Sequence, residues 1–515
     1  METELKTIYN KIPSADRFLF LFTFLANIFV HAYTYMNQLF FYDGCHVYDD
    51  SNGLNNGRFL VGPIMTIFSN FQIPWVSGII FSICMALSVV LVSKILEIQD
   101  KVFQVLLSLL MISFPVIFFT HTCIGTLIIY GMAILFATLT VYYLTIDKLS
   151  YAIMAMISMI ISLACYQAYI SYAVSLFLIY IIKLFSENYA NKEVIKKFLK
   201  GALVFIVSIG IYFVIWKTLL YFIPTDVPDY RGENLAAATI FSNSFKNIFV
   251  AYSLGIKSLF GNISFHSKTY AIQYGVQFFV ISCDIFFICK TKKPTVLLTF
   301  LMLPLGVYLL YVFSPYAFHE MMRYSLIIPY ILFIYFASKA KIKKGLFEKA
   351  NIKKIACIVL SVFIFNNIVT GNMAYVKNYT ETQKSLSMAT RLVDRIECFG
   401  ANPGDKIIFV EKNNQNWFCI DSNTAKHDIK YKDSREWEKY TNGYTTDLGS
   451  IGAPYINALI WYIEDNCDYI GLSYQSLEQN SSDAQKIKTI VSELDSFPYQ
   501  NCMYKLSNDT IVVCL

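Results

Sequence analysis

Residues 151–185 read YAIMAMISMIISLACYQAYISYAVSLFLIYIIKLF, a 35-residue apolar stretch broken by one polar knot, Cys165-Tyr166-Gln167. A membrane-spanning helix needs about 20 apolar residues. The stretch is too long for one crossing and leaves roughly 17 residues for each of two, the lower limit. The choice sets the side of the membrane for everything downstream, and the basic residues decide it. They cluster at Lys6/Lys11/Arg17, Lys94/Lys101, Lys148, Lys183 through Lys200, Lys290/Lys292/Lys293 and Lys339 through Lys354. Short basic loops stay in the cytoplasm. All of these fall on one side only if 151–185 crosses twice, as a tight helical hairpin or a broken helix. Polar backbone at the break is tolerated where protein or a water-filled cavity surrounds it.

Working outward, the other expected spans are 18–40, 74–96, 102–120, 124–145, 202–222, 271–289, 295–314, 324–339 and 355–373. The fold class predicted is an α-helical polytopic membrane protein with about eleven transmembrane helices and a cytoplasmic N-terminus. The segment Met1 to Asp16 is polar, and no small-residue cleavage site follows the first apolar run, so that run is expected to stay as a span. Two stretches, 59–70 and 245–260, are expected to lie along the interface, the second with Lys246 and Lys257 at the headgroups.

Composition agrees with this reading. Hydrophobic residues make up 56% of the 515 and charged residues 15%, against about 25% charged in soluble proteins. That excludes an ordinary cytosolic enzyme. The net charge of +6 is not a nucleic-acid signature, because it is unevenly divided. From Met373 on there are 14 Lys/Arg and 19 Asp/Glu; before it there are 28 and 17. The chain therefore divides at 373/374 into a membrane domain (1–373) and a small soluble α/β domain (374–515) on the outer, periplasmic face. In the tail, helical patterns cover 381–398, 451–464 and 482–494, an apolar run covers Ile407 to Val410, and 501–515 alternates like a hairpin about Ser507-Asn508-Asp509. A turn centred on Asn508 sets Cys502 opposite Cys514. A disulfide there requires the closer, non-hydrogen-bonded type of strand pair; otherwise both thiols pack as small apolar residues.

Chemistry is expected in the outer loops. Loop one holds Asp43, Asp49 and Asp50 just after the first span and ends at Gly57-Arg58. Read functionally, one carboxylate is a general base at the membrane surface and Arg58 meets an anionic group; read plainly, this is a solvated acidic loop. Loop five holds His319, Glu320 and Arg323. Arg323 opens a span, either to bind a phosphate bidentately or to snorkel, and His319 stands beside it as a phosphate-binding candidate or a capped surface residue. Tyr166 and Gln167, at the break, either form a sugar-binding platform or satisfy backbone groups freed there. The twelve cysteines and six histidines form no metal pattern, and no nucleotide-binding motif is present. No metal or cofactor is expected. Mid-span charge is sparse, with Asp284 and Lys217 standing out, which argues against a proton-coupled transporter or glycolipid flippase. A polysaccharide polymerase or ligase would carry arginines in its large outer loop, whereas residues 223–270 hold only Arg231.

The acidic first loop followed by Gly57-Arg58-Phe59, then Phe114-Pro115 late in a span, then Ala164-Cys165-Tyr166-Gln167-Ala168, resembles the type II O-antigen glucosyltransferases. These are serotype-converting membrane enzymes of bacteria and their phages. The resemblance covers about the first 340 residues. It implies a GT-C-like transferase of the bacterial inner membrane. Such an enzyme moves a sugar, glucose in this family, from a polyprenyl-phosphate carrier to a surface polysaccharide acceptor on the periplasmic face. It implies a catalytic carboxylate in loop one, with Asp43 matching best by position. A donor synthase and a flippase are the partners such an enzyme would need. An acidic residue that the resemblance places in the second outer loop is absent here, where the loop reads His121-Thr122-Cys123-Ile124-Gly125.

Overall fold

A computed structural model describes residues 13–37, 50–67, 73–223, 233–260, 268–313, 320–340, 349–402, 404–410, 473–474 and 482–514. The described residues divide into two compact units, one holding those up to Met36 and from Asp50 to Asn372, the other Asn37 and those from Met373 onward.

In the first unit, eight of the described helices are long and apolar enough to span a bilayer: Ser14–Met36, Pro74–Ile95, Ile124–Thr145, Tyr169–Ser186, Asn191–Phe222, Ile272–Thr291, Met321–Lys339 and Ile352–Val376. A ninth is the pair Lys101–Ser113 and Pro115–Thr122, bent by 44°. Two shorter apolar helices, Leu149–Cys165 and Pro294–Val307, stand at the remaining expected positions. The chain is a polytopic membrane protein. The 151–185 stretch is broken where its polar knot lies, one helix ending at Cys165 and the next starting at Tyr169.

Several elements differ from the expectation, each for a physical reason. The expected span 295–314 is three short pieces, Pro294–Leu301, Leu303–Val307 and Leu309–Phe313, since Pro304 withholds a donor and Gly306 favours departure from the helix. The helix expected to start at 202 begins at Asn191, because the lysines and glutamate before it are good helix formers. The helix Lys349–Cys398 runs 50 residues without interruption, through both the last expected span and the first expected helix of the tail. It contains no proline, and its one glycine, Gly371, packs against Phe118. The 245–260 segment belongs to a 28-residue helix, Glu233–Phe260. Its Gly255 lies against the Pro304 carbonyl so closely that a Cβ there would come within 2.1 Å, while Lys246 and Lys257 remain exposed.

Ion pairs join helix ends that the charge pattern assigns to one side. Lys94 meets Asp16 at 2.7 Å, Lys353 meets Asp100 at 3.2 Å and Lys200 meets Asp147 at 3.1 Å. Lys183, almost fully buried, meets Glu97 at 2.7 Å and Glu187 at 3.5 Å, and Glu187 also meets Lys339 at 3.6 Å. Exposed pairs are worth only about 0–1 kcal/mol each. Their value lies in the register they record between helices distant in sequence. Of the two mid-span charges, Lys217 is exposed beside the Trp216 ring. Asp284 is fully buried, and neither carboxylate oxygen has a hydrogen-bond partner among the described residues.

In the second unit, the strands β1 (Lys406–Val410), β2 (Ser473–Tyr474), β3 (Met503–Ser507) and β4 (Thr510–Cys514) form a sheet of order β2-β1-β4-β3. β1 pairs parallel with β2 and with β4, and β3 pairs antiparallel with β4. The helix Ser482–Glu493 packs Ile487 against Ile408 and Val512. The hairpin turn is one residue shorter than expected, pairing Ser507 with Thr510, and a bulge at Leu506 keeps the expected match of Tyr504 with Val512. Cys502 thus does oppose Cys514, yet the Cys514 N–H donates to the Cys502 carbonyl at 2.8 Å. This is the wider, hydrogen-bonded type of pair, and the two cysteines are buried without a disulfide between them. Of the other tail cysteines, Cys419 and Cys467 lie outside the described residues.

Candidate functional site

Pro115 lacks an N–H, so the carbonyl of Met111, four residues earlier, loses its helical partner. The bend also leaves the Ile112 carbonyl open. Both are taken up by side chains from other helices: the Tyr324 hydroxyl donates to the Met111 carbonyl at 3.2 Å, and His31 Nε2 meets the Ile112 carbonyl at 2.9 Å. Since only an N–H can donate to a carbonyl, His31 carries its proton on Nε2. The same reasoning puts the proton of His121 on Nδ1, which meets the Ile117 carbonyl at 2.8 Å. His121 Nε2 therefore accepts from the Tyr35 hydroxyl at 2.8 Å, and Tyr35 accepts from Asn27 Nδ2 at 3.1 Å. The two imidazoles stack at 3.6 Å. His121, expected in an outer loop, is instead wholly buried, because the second half of the bent helix carries it into the bundle.

Around this kink the segments singled out in the sequence converge. Tyr324 packs edge-on against Phe114 at 6.2 Å and Tyr169 at 6.0 Å. Tyr169 packs against Tyr166 at 5.7 Å, and Tyr166 against Tyr130 at 5.0 Å. The Arg58 guanidinium lies over the Tyr166 ring, 4.6 Å from its centre. A cation over a tyrosine face gains roughly 0.5–2 kcal/mol, more as water is excluded. Loop one is held to the break directly as well, the Leu60 N–H donating to the Ala164 carbonyl at 3.3 Å. The Gln167 side chain reaches out of the break to loop one and to the helix Asn191–Phe222. Its Nε2 donates to the Asn56 carbonyl and, at 3.0 Å, to the Tyr212 hydroxyl.

Arg323 sits in a 3₁₀ stretch, Glu320–Ile327, at a point where the backbone departs from helical angles. Its neighbours are pinned, Tyr324 to Met111 and Ser325 to the Val307 carbonyl at 2.8 Å. Of the remaining candidates, Asp43, Asp49 and His319 lie outside the described residues; Asp50 opens the short helix Asp50–Asn55, and its side chain is not described. The structure thus brings Arg58, Tyr166 and Gln167 together, and of loop five it places Tyr324, the residue after Arg323, in the tyrosine chain they border. Sequence reasoning missed Tyr324, His31, Tyr212 and Trp216. Phe114-Pro115 was the available signal for the first two, since a proline within an apolar helix obliges other groups to meet the carbonyls it frees.

Arg58 thus lies on a tyrosine cluster where loop one, a kinked span and a broken span meet. The family model described as Glucosyl transferase GtrII matches residues 32–336, well over half of the chain. The protein belongs to that family and is a glycosyltransferase. No curated protein matches it.

Proposed function

We propose that this protein transfers glucose from a polyprenyl-phosphate-linked donor to a bacterial surface polysaccharide such as O-antigen, on the periplasmic face of the inner membrane. The observation that carries the reading is Arg58 on the Tyr166 ring, at the point where three segments of the family-matched region meet. A guanidinium presents a planar fork suited to phosphate oxygens. Arg58, with Arg323 and His319, holds the phosphate, and Tyr166 and Gln167 contribute to binding through Arg58.

The donor already has a good leaving group, so the protein must orient, deprotonate and stabilise charge. Asp43 is the general base, with Asp49 and Asp50 the alternatives in the same loop. Its carboxylate takes the proton of an acceptor hydroxyl as the hydroxyl oxygen bonds the anomeric carbon. The bond from that carbon to the phosphate oxygen breaks, and polyprenyl phosphate leaves with the electron pair. A single displacement inverts the anomeric centre. No metal or cofactor takes part in this scheme.

The sidedness proposed is eleven crossings with the N-terminus in the cytoplasm and residues 374–515 as a soluble periplasmic α/β domain. Support comes from the ion pairs, which tie together ends assigned to the cytoplasm by charge: those near residues 16 and 94, 97 and 183, 187 and 339, 100 and 353, 147 and 200. The experiment is Asp43→Asn in cells lacking the native gene. Surface glycan should lose its glucosyl substituent while the protein stays in the membrane, because an amide cannot take the proton. Normal glycan from this variant would remove Asp43, and normal glycan from the Asp49 and Asp50 variants as well would remove the loop-one base.

A further inference from the structure

Three side chains, one from the break after Cys165 and two from the Asn191–Phe222 helix, grip the backbone of loop one by its carbonyls. Trp216 Nε1 donates to the Leu54 carbonyl at 2.7 Å, Gln167 Nε2 to the Asn56 carbonyl, and the Tyr212 hydroxyl to the Gly57 carbonyl at 2.9 Å. Tyr212 and Trp216 are four residues apart on the Asn191–Phe222 helix and so share one face. Tyr212 also stacks on Phe59 at 5.8 Å and 22°. It therefore touches the residues on both sides of Arg58. The turn itself is closed by the Arg58 N–H donating to the Gly53 carbonyl at 2.7 Å. Gly57 has a φ of +73°, where side chains are strained. A Cβ there would lie 2.2 Å from the Tyr212 hydroxyl and 2.7 Å from Gln167 Nε2. The glycine thus meets two demands: the backbone angle of the turn, and room for the side chains that hold it.

We propose that Gln167, Tyr212 and Trp216 are positioning residues for donor binding. They clasp residues 54–57 by their carbonyls and so hold the Arg58 guanidinium on the Tyr166 ring, where the lipid phosphate is engaged. This rests on the reading of Arg58 as the phosphate-binding cation. The helix Asp50–Asn55 is only six residues long, too short to stand alone in water. The Leu54 carbonyl takes the Gly57 N–H at 3.0 Å as well as Trp216 Nε1, and the Asn56 and Gly57 carbonyls lie just past the helix end. The clasping groups are themselves buried or half-buried in the bundle. None of the three need touch the substrate.

The test uses the full-length protein in lipid nanodiscs, with synthetic polyprenyl-phosphoglucose as donor, measuring donor KM and kcat separately. Amide hydrogen exchange over residues 53–60 is followed in the same samples. Tyr212→Phe keeps the ring stack and removes only the hydroxyl bonds. It should speed exchange in that segment and raise donor KM by up to about tenfold, the worth of a hydrogen bond, with kcat within about twofold. Trp216→Phe, which removes the Nε1 bond while keeping an aromatic ring, should do the same and serves if the first variant does not accumulate. Added to Arg58→Ala, neither should raise KM further, since groups acting through one residue are not additive. Unchanged exchange in both variants overturns the clasp, as does a KM increase that multiplies with that of Arg58→Ala. An Arg58→Ala protein with unchanged donor KM overturns the phosphate reading instead, whatever the exchange shows.

Discussion

Arg58 is a residue whose role depends on shape as much as charge. A lysine would keep the positive charge and lose both the planar stack on Tyr166 and the two-pronged contact with phosphate. Arg58→Lys is therefore expected to behave nearly as Arg58→Ala, each raising donor KM by roughly 10–100-fold, the worth of a charge-assisted hydrogen bond. Steady-state kinetics at varied donor check this; a lysine variant close to wild type would make Arg58 a simple charge. Asp284 offers the opposite case, a polar group with no visible use. Both its oxygens are buried and unpartnered among the described residues. Asp284→Leu is expected to raise the thermal midpoint in detergent, by an amount on the order of 1–3 kcal/mol of stability, and to leave transfer unaffected. Lost transfer with retained fold would show that the carboxyl is functional.

Among the elements, the kinked span shows how far a sequence can be read. Cys165-Tyr166-Gln167 announces the break between two short helices, which lies where expected, whereas Pro115 bends a span read as the single segment 102–120. The partners that make these features stable were not legible. Tyr324 reaches Met111 across 213 positions and Tyr212 reaches Gly57 across 155, and no local period encodes such contacts. In the same way Arg58 and Tyr166 each drew notice, but nothing in either segment indicated that one lies on the other. The 50-residue helix was missed because residues that fit a water-exposed helix continue the pattern of a buried one without a stop signal. Replacing His31 by leucine tests the element directly. The Ile112 carbonyl would lose its partner, at a cost of about 1–3 kcal/mol, read as a lower thermal midpoint. Gly78→Leu should be worse, since a Cβ at Gly78 comes within 2.4 Å of the Tyr35 ring that bonds His121. An unchanged midpoint in either variant would show that the histidine–tyrosine cluster does not hold the bend.

For the whole molecule, the sidedness proposed above is open to a direct test. A phosphatase reporter joined after Met373 is expected to be active and a cytoplasmic reporter at the same site silent; the reverse result would invert the topology. In the tail, burial pushes the Cys502 thiol up, and Cys514 is equally enclosed. Both should resist alkylation in the native protein and react fully after denaturation without reductant. A peptide linking them in a non-reducing digest would show that the hydrogen-bonded strand pair relaxes enough to be bridged.

The bend at Pro115 also has a history within each molecule's synthesis. His31 is made before Ile112 and is ready to meet its carbonyl. Met111 must wait for Tyr324, which emerges 213 residues later, roughly ten to forty seconds at bacterial elongation rates. Through that interval a bare carbonyl in hydrocarbon would cost several kcal/mol. The nascent helix is therefore expected to linger at the mouth of the insertion channel, where water serves as a temporary partner, and to settle sideways into lipid only when the tyrosine arrives. The order of assembly is in that sense written backwards, with a late residue releasing an early one.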